Sequence, residues 1–484
     1  MKTAACTAIK TITTAIPVPS FFPVVIFIIC SASRLSVPDH ACQYLIRVSA
    51  TVRRVEVRSG SVLRLYYIIL WQVRQTAAES RGGVATAPMP IKKIEQLIKN
   101  EGKPDVAIRL ARTQDMRRIQ MLYAEVYGGN YAISIVTDKE KMRRAIENDS
   151  YYWLVAECEG RIIGSLVYAL DLPDRLAKAF GAVVSQDYRK LDLARTMMKL
   201  VLDDITQTQK LVDVVYATTR TANHAPQKLT ESLGFVKLGI FPNTHKVSEN
   251  ETHCLTAYFT EEALKKREPK PNLISEIVPF YDLVRKQLDF EAPAVTGVTS
   301  LYAENRHLVP PLPMETITAP AFIKNRYKTL RSNSFFEHAY MPFHEPNLLF
   351  ITPDQSTEVY LNYNQKDKYS VVMGGVTREK SATVVLESIA RKLSEMNMAY
   401  IEIILDAYTP QLQREAMDAR YIPSGYFPCA KKSAGKRYDC IVFSRTFEVL
   451  DFRNVKLISL YKNFLREYLA LWREHYIESA FRND

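Results

Sequence analysis

Residues 185–198 read SQDYRKLDLARTMM, a turn rich in cationic side chains that runs into a helix of Leu, Ala and Met. The apolar run LAKAFGAVV before it predicts a strand that ends at Val184, and the helix is predicted to begin near Asp192. Backbone N–H groups at a helix start have no acceptor within the helix, and the helix dipole adds positive potential there. With Arg189 and Lys190 beside it, this turn predicts an anion site that suits a diphosphate. The alternative is a helix whose flanking cations are merely solvated.

The segments around this turn predict a mixed sheet flanked by helices. From residue 105 onward the apolar periods follow the order β-α-α-β-β-β-α-β-α-β-β, with a strand-turn-strand signal at Glu159-Gly160. Burying these runs requires helices on both faces of the sheet. We also predict a helix at the start of this region, in MPIKKIEQLIKN over 89–100. The predicted fold class is α/β, or α+β.

A second copy of the end of this pattern follows later in the chain. Residues 227–254 align on 413–440 without a gap, which indicates that one helix-strand-turn-strand unit is used twice. The shared positions are Gln227/Gln413, Gly239/Gly425, Phe241/Phe427, Pro242/Pro428, Lys246/Lys432 and Cys254/Cys440. The second unit has MGGVTREKSATVV in place of the cationic turn, so it is interpreted as a degenerate partner. Its Gly374-Gly375 pair is the alternative, a second phosphate cradle.

Length and composition predict two soluble domains with connectors. The chain has 484 residues, 47% of them hydrophobic and 24% charged, which excludes a membrane bundle and a disordered chain. The predicted units are an extension over 1–88, a first domain over 89–262, a helical and Pro-rich linker over 263–340, a second domain over 341–450 and a C-terminal helix over 451–484.

The net charge of +12 is concentrated at the start of the chain. Residues 1–88 carry ten basic and three acidic side chains, so the remainder has a charge of only +5 and lacks the dense basic stripe of a nucleic-acid binder. The apolar run FFPVVIFIIC over 21–30 is too short to span a bilayer, so no integral membrane span is predicted. We interpret 1–88 as a translated upstream region with Met89 as the true start. The alternatives are a tether, a targeting segment or a secretory signal.

The cysteines indicate a reducing compartment. The seven residues form no CxxC pair and no Cys/His cluster at metal-ligand spacing, so neither a disulfide framework nor a metal site is predicted. Each cysteine is expected to fill the core. The predicted location is the cytoplasm.

The order of elements and the cationic turn resemble the GCN5-related N-acetyltransferase (GNAT) superfamily over about 105–260, and more weakly over about 345–447. In that family an Arg/Gln-x-x-Gly-x-Gly/Ala segment binds the pyrophosphate of acetyl-CoA, and Arg189, Asp192 and Ala194 occupy its first, fourth and last positions. Asn223 and Gly234-Phe235 match the closing segment of the family. The resemblance implies two GNAT-like domains in tandem, each a mixed, mostly antiparallel sheet flanked by helices, with acetyl-CoA as co-substrate.

The resemblance also implies the site residues. Those expected to bind the cofactor are Val183, Val184, Arg189, Lys190, Leu191, Asp192, Leu193, Ala194 and Asn223, with amides near Val183 and Val184 facing a gap between splayed strands. His224 is the candidate catalytic base, with a capping or surface histidine as the alternative. Tyr127 and Tyr131 are expected to shape the acceptor pocket or to pack as aromatics. Lys246, after a repeated Phe-Pro turn, is expected to contact an acidic group on the acceptor or to belong to a structural turn.

Two positions depart from the family pattern. Asp192 stands where glycine is usual, and we expect its carboxylate to turn outward and cap the helix. Thr230 stands where many members carry the tyrosine thought to protonate the leaving thiolate. The strand that ends at Val184 also offers no acidic residue.

The predicted function is transfer of the acetyl group of acetyl-CoA to a primary amine, of a small molecule or of a protein, by direct transfer in a ternary complex. The second unit is expected to complete the acceptor cleft or to stiffen the first. The alternatives are a non-catalytic acyl-CoA-binding or scaffolding protein, and a transferase of aminoacyl or long acyl groups.

Overall fold

The computed structural model describes residues 93–100, 103–129, 134–246, 250–299, 302, 309–332 and 342–481. The predicted extension 1–88 and the candidate Tyr131 lie outside the described residues. Residues from Ala87 onward belong to one compact unit. Among the described residues, no helix is both long and apolar enough to cross a bilayer.

The first half of this unit, residues 93–259, follows the predicted order closely. Its elements are β1 (Glu95–Asn100), β2 (Lys103–Leu110), α1 (Met116–Tyr127), α2 (Ser134–Thr137), α3 (Lys139–Glu147), β3 (Tyr151–Cys158), β4 (Arg161–Asp171), β5 (Leu176–Val184), α4 (Leu193–Asp203), β6 (Val214–Arg220), α5 (Ala225–Ser232), β7 (Val236–Lys246) and β8 (Asn250–Phe259). The Glu159-Gly160 turn between β3 and β4 is confirmed, with positive φ angles of 48° and 77° that suit a tight hairpin.

The predicted helix over 89–100 is wrong in its described part. Residues Glu95–Asn100 form β1, which pairs antiparallel with β2. The error has a physical cause: Ile94 and Ile98 are four residues apart, and this spacing places two side chains on one face of a strand as well as of a helix. Ile98 packs partly buried against the core, whereas Leu97 is 55% exposed, as the two faces of an edge strand require.

The helices cover both faces of the first half. Leu193, Met197 and Val201 of α4 pack against one face of the sheet. On the other face, Ile119 of α1 and Met142 of α3 share a cluster with Trp153 and its neighbours. This arrangement confirms the predicted two-sided burial.

The second half, residues 315–446, lies between two helical segments. A connector contributes α6 (Glu261–Lys265), β9 (Asn272–Leu273), α7 (Val278–Leu288) and β10 (Ala294–Val295). The half itself consists of β11 (Glu315–Ile317), α8 (Pro320–Ser332), β12 (Leu348–Ile351), β13 (Thr357–Asn364), β14 (Tyr369–Thr377), α9 (Ala382–Glu395), β15 (Tyr400–Asp406), α10 (Pro410–Asp418), β16 (Ile422–Ser433) and β17 (Lys436–Thr446), and α11 (Ser459–Tyr476) follows it.

One continuous sheet joins the two halves, where separate sheets were expected. Its 15 strands lie in the order β1-β2-β3-β4-β5-β6-β8-β7-β16-β17-β15-β14-β13-β12-β11. Outward from β7 the strands are β8, β6, β5, β4, β3 and β2, and outward from β16 they are β17, β15, β14, β13, β12 and β11. The order of elements is therefore the same on both sides of the β7–β16 pair. The elements that the sequence repeat relates, α5-β7-β8 and α10-β16-β17, therefore occupy matching places.

The join depends on two glycines that the sequence repeat also matches. Gly239 of β7 pairs antiparallel with Gly425 of β16. A Cβ atom at position 239 would overlap the Gly425 Cα atom and the Ser424 carbonyl oxygen. Glycine is required here because the two backbones approach too closely for any side chain.

Each half also holds the helical segment that follows the other half. In α5, the Gln227 amide donates to the Lys456 carbonyl at 2.7 Å, and its oxygen accepts from the Ile458 amide at 3.1 Å, just before α11. In α10, Gln413 makes the matching bonds to Asn272 at 3.0 Å and Ile274 at 3.1 Å, before α7. These exchanged segments make the halves one structural unit.

A buried ion pair adds a further connection between the halves. The Arg437 guanidinium of β17 has 0% exposure and lies 3.1 Å from an Asp213 carboxylate oxygen of the first half. The same side chain donates to the Asp174 carbonyl at 3.1 Å and to the Cys429 carbonyl at 2.9 Å. Removing one partner of such a pair leaves a buried charge uncompensated, so the pair constrains how the halves dock.

We expect Gly239→Ala to destabilise the protein by about 1–3 kcal/mol, because the new methyl group has no space between β7 and β16. Chemical denaturation of the full chain measures this loss. Gly297→Ala is the matched control, since a Cβ atom there meets nothing within 4 Å. Equal stability of the two variants would contradict the role assigned to the glycine junction.

Candidate functional site

A gap opens between the central parallel strands of the first half. β5 and β6 pair from Leu176/Val214 to Ala179/Ala217, and the described pairing stops there, so the strands separate beyond this point. A bulge in β5 at the same level, where Gly181 has φ +66°, interrupts the register with β4. The Tyr123 hydroxyl of α1 donates a hydrogen bond to the Gly181 carbonyl and holds the bulge in place. The structure thus contains the predicted splay of the two strands.

The backbone of β5 presents one of the two predicted amides to this gap. The Ser185 amide donates to the Ile163 carbonyl of β4 at 2.8 Å, and Val183 pairs with Ser165 in the same ladder. Because N–H directions alternate along a strand, the Val184 amide points away from β4 and toward the gap, whereas the Val183 amide faces β4.

The cationic turn lies at the wide end of the gap. Residues Gln186–Leu191 form a 3₁₀ turn, and α4 begins at Leu193. The Thr196 amide donates to the Asp192 carbonyl at 3.0 Å and closes the first helical turn, so the preceding amides of α4 point out of the helix end. Leu193 is buried and holds the helix to the core, while Arg189 is exposed beside the turn. The first amides of α4 therefore have no acceptor within the helix and lie next to the exposed Arg189.

The prediction that Asp192 caps α4 is wrong. Asp192 adopts a left-handed conformation, with φ 52° and ψ 25°, and its side chain makes no capping hydrogen bond. The carboxylate is 66% exposed and lies 3.7 Å from the Arg195 guanidinium. Left-handed backbone favours glycine, which is the residue usual at this position in the GNAT pattern, and aspartate tolerates it better than most residues do.

The predicted residues that follow β6 lie on the surface. His224 precedes the first turn of α5, its side chain is exposed, and no described residue forms a hydrogen bond with its ring. The Asn223 side chain accepts from the Ala225 amide at 2.9 Å and so holds the start of α5. Thr230 is buried, and its hydroxyl donates to the Gln227 carbonyl at 3.0 Å.

Tyr127, a predicted acceptor residue, lies at the end of α1 near β6. The Arg220 guanidinium stands 5.5 Å from the centre of its ring, and Arg220 also forms an ion pair with Glu251 of β8. Burial raises the pKa of Tyr127, and the charge of Arg220 partly opposes this rise. The other predicted acceptor residue, Lys246, ends β7, where its backbone pairs with Asn250.

A cavity of about 110 Å³ lies where the two halves meet, and we call it the junction cavity. Its walls come from both halves and include Lys178, Tyr216, Thr218, His245, His253, His344, Tyr369 and Glu402. Cys254 interacts with Tyr461 of α11, so its neighbours His253 and Leu255, which both line the cavity, face the opposite side of the sheet.

A histidine pair with a buried carboxylate forms one wall of the cavity. The His245 Nδ1 atom of β7 lies 2.6 Å from an Asp367 carboxylate oxygen, which comes from the turn between β13 and β14. The Asp367 side chain is only 5% exposed, and a carboxylate at this distance orients the His245 ring by accepting a hydrogen bond from Nδ1–H. The His253 ring lies 4.6 Å from the His245 ring, and burial lowers its pKa to about 4, so it is neutral at pH 7.

Lys178 and Glu402 face this cavity from opposite halves. Neither of them has an ion-pair partner among the described residues, although their charges interact across the cavity. Burial lowers the pKa of Lys178 and raises that of Glu402 to about 7, while the hydroxyls of Tyr400 and Tyr369 partly offset the second shift. No group of metal-ligating side chains suited to an ion is found in the part of the chain that the structure describes.

Sequence reasoning missed most of the junction cavity. It reached only Lys246 and the repeated Phe-Pro turn that His245 follows, and nothing in the local sequence indicated Asp367 or Glu402. These residues are distant in the chain and come from the half without the cationic turn. Only the join between β7 and β16 brings them to His245.

In the second half, the amides at the start of the helix that matches α4 in the order of elements are satisfied by side chains. α9 corresponds to α4, and the Ala382 amide at its start donates to a Glu415 carboxylate oxygen at 2.8 Å. The Ser381 hydroxyl accepts from the next amide, of Thr383, at 3.2 Å. Gly374 and Gly375 lie within β14 beside a bulge and pack against β13, so the alternative of a second phosphate cradle is wrong.

The described cysteines fill the core, as expected. Cys158, Cys254, Cys429 and Cys440 are free and buried. Burial raises the pKa of the Cys254 and Cys440 thiols, the pair related by the repeat, so neither is a reactive thiolate at neutral pH.

Comparison with known families identifies the class of the first half. Residues 113–235 match the family described as "Acetyltransferase (GNAT) family". This segment is therefore a GNAT-type acetyltransferase domain, and the co-substrate of that family is acetyl-CoA. A comparison with curated protein sequences gives no match.

Solved structures with similar folds are acetyltransferases that cover about a third of this chain. A ribosomal-protein-S5-alanine acetyltransferase from Vibrio fischeri is 17% identical over 35% of this chain and 98% of its own, with a TM-score of 0.30. A ribosomal-protein-alanine N-acetyltransferase from Brucella melitensis is 22% identical over 32% and 99%, with a TM-score of 0.28. A ribosomal L7/L12 alpha-N-protein acetyltransferase in complex with coenzyme A is 11% identical over 34% and 99%, with a TM-score of 0.29.

The shifted pKa of Glu402 predicts a pH dependence of stability. The folded state holds the Glu402 proton up to about pH 7, whereas a glutamate normally releases it near 4.5. Between these values the folded state binds more protons than the unfolded state, so raising the pH lowers the free energy of unfolding, by up to roughly 3 kcal/mol. Denaturation of Glu402→Gln between pH 5 and 8 should lack this loss. The exposed Glu379→Gln is the control, and an identical pH profile for both variants would contradict the assignment.

Proposed function

We propose that this protein transfers the acetyl group of acetyl-CoA directly to a primary amine of a small molecule or a protein, within a ternary complex. The observation that carries the proposal is the gap beyond Ala179/Ala217, which lies next to the open helix start at Leu193. A parting of two strands beside an amide-lined turn offers a slot for a long thiol arm and an anion site for its diphosphate.

The cofactor residues take separate roles in this proposal. The first amides of α4, at Leu193 and Ala194, bind the diphosphate together with Arg189 and Lys190. Leu191 and Leu193 position the turn through apolar packing. The Val184 amide donates to the thioester carbonyl and stabilises the negative charge that develops on its oxygen. Val183 and Asn223 support the strand and the start of α5, respectively.

The transfer itself needs few groups. The neutral amine attacks the acetyl carbon, a C–N bond forms, the C–S bond breaks, and the sulfur leaves with the electron pair as a thiolate. The proton released by the amine goes to a base. Thr230 offers no phenol to protonate the thiolate, and the reaction does not require one, because the thiolate of CoA is a stable leaving group.

We propose His245 as that base in preference to His224. Asp367 fixes the tautomer and orientation of His245, and its ring borders a cavity whose other walls include Tyr216 and Thr218 from β6. The prediction for His224 stays open. Its ring is exposed, and among the described residues nothing orients it.

We propose that the second half is a degenerate GNAT-like domain that completes the acceptor cleft. Its support is the matching strand order and the Glu415 carboxylate, which satisfies the amide at the start of α9. A carboxylate in that place repels a diphosphate. The proposed domains are 89–262 and 341–450, with Tyr127, Tyr131 and Lys246 on the acceptor side and the cytoplasm as location.

The two alternative functions receive less support. An aminoacyl or long-acyl transferase needs a long open channel, whereas the junction cavity measures about 110 Å³. A non-catalytic acyl-CoA-binding protein has no need of a buried carboxylate that orients a histidine.

Two opposite charge changes at the turn test the diphosphate site. By calorimetry on the full chain, Arg189→Glu should weaken acetyl-CoA binding by about tenfold or more, because it replaces a charge-assisted contact with repulsion. Asp192→Gly should strengthen binding by about threefold, since it removes a negative charge about 6 Å from the phosphates, worth about 0.7 kcal/mol in water. It also relieves the left-handed backbone.

The control for these variants is Lys462→Glu, the same reversal of charge as Arg189→Glu on the exposed side of α11. It should bind acetyl-CoA as the unchanged protein does. If Arg189→Glu also binds normally, the diphosphate does not bind at this turn.

Rate measurements distinguish the two candidate bases. His245→Ala should lower kcat for amine-dependent CoA release by about 100-fold at pH 7, because a positioned base contributes that much or more. Asp367→Asn should also lower kcat, since it removes the carboxylate that orients the His245 ring. His224→Ala should stay within about twofold, and a large loss in that variant alone would restore His224 as the base.

A further inference from the structure

The junction cavity adjoins the closed end of the gap. Lys178 and Tyr216 form the last but one pair of β5 and β6 before the strands separate, and both side chains line the cavity. Thr218, the next cavity residue on β6, lies just beyond the last pair. A molecule in this cavity is therefore close to the point that the end of a thiol arm reaches when it fills the gap.

The size of the cavity restricts its occupant. The volume of the cavity is about 110 Å³, and a cavity needs only roughly 10–15 Å³ to admit one water molecule. A small amine fits this space, whereas a folded protein segment or an acyl chain does not. The walls are largely apolar, with the polar groups of Lys178, His245 and Glu402 among them, so a small occupant with polar ends suits the cavity.

The charges of the cavity indicate what the occupant carries. Lys178 is the lysine of the cavity wall, and no described residue accepts a hydrogen bond from its ammonium group. The centre of the Tyr216 ring lies 5.7 Å from Nζ, and Glu402 interacts electrostatically with Lys178 without forming a described ion pair. A desolvated ammonium without a directly bonded anion is costly, and a bound carboxylate, sulfonate or phosphate would compensate it.

We propose that the junction cavity is the acceptor site and that the acceptor is a small primary amine with an anionic group, which pairs with Lys178.

This inference rests on the proposed acetyl transfer and names its substrate class. The anionic group lies against Lys178, and the amine is directed to His245, which takes its proton. Glu402 faces the occupant from β15 and Asp367 orients His245, so the second half completes the site. This division of roles explains why a half without its own anion site is retained in the fold.

Matched amines test the class of acceptor. CoA release by the full chain should be measured with β-alanine, taurine and 2-aminoethyl phosphate, and with propylamine and ethanolamine as uncharged counterparts. The three anionic amines differ in the anion, so their ranking shows whether carboxylate, sulfonate or phosphate fits. We expect kcat/KM to be at least tenfold higher for the best anionic amine than for either counterpart.

The Lys178→Met variant tests the contact itself. It should raise KM for the best anionic amine by about 10- to 100-fold, because a charge-assisted contact is lost, and should change kcat by less than about threefold. It should leave KM for propylamine unchanged. Lys462→Met, the same substitution on the surface of α11, should match the unchanged protein with every amine. Equal KM values for Lys178→Met and the unchanged protein would overturn the proposal, as would a preference for propylamine.

Binding measurements separate this inference from the acetyl transfer on which it rests. Calorimetry with β-alanine, taurine and 2-aminoethyl phosphate needs no acetyl-CoA, so it reports on the cavity even if no amine is acetylated. Binding that Lys178→Met abolishes, without turnover, would support the site and refute the transfer. Turnover of amines without any effect of Lys178→Met would support the transfer and refute the site.

Discussion

The close contact between Gly239 and Gly425 is the constraint on which the rest of the structure depends. It allows β7 and β16 to pair without side chains between them, and thereby turns two sets of strands into one sheet. The exchange of helical segments through Gln227 and Gln413 then follows from the symmetry of the join. The junction cavity is a further consequence, because its walls exist only where the halves meet.

The two halves differ at the starts of α4 and α9, two helices at matching places in the order of elements. At the start of α4 the amides are open and Arg189 stands beside them, whereas at the start of α9 Glu415 and Ser381 take up the amides. The residue before α4 is left-handed and the first amides of the helix are open, whereas the residue before α9 is extended and the amides there are satisfied. Asymmetry of this kind suits a protein in which one half carries the GNAT domain and the other shapes its surroundings.

Much of the fold could be predicted because its signals are local. The strand that ends at Val184, the hairpin at Glu159-Gly160 and the helices from Met116 and Ala382 all follow from apolar spacing and turn residues. Two predictions that were wrong also have physical causes. The spacing of Ile94 and Ile98 fits both a helix and a strand, and pairing with β2 stabilises the strand. Asp192 has the chemistry of a cap, but the backbone demands a left-handed residue at that point, so its side chain cannot reach the helix end.

The sequence by itself determined the order of elements, the cationic turn before α4 and the internal repeat, because each depends on neighbours in the chain. Only the tertiary structure decided that the two halves share one sheet, that Asp367 lies against His245, and that Lys178 and Glu402 face one cavity. The two members of each pair are more than a hundred positions apart in the chain, and no spacing pattern in the sequence predicts their contact. Their proximity is set by the backbone contact at Gly239 and Gly425, which is a property of packing in three dimensions.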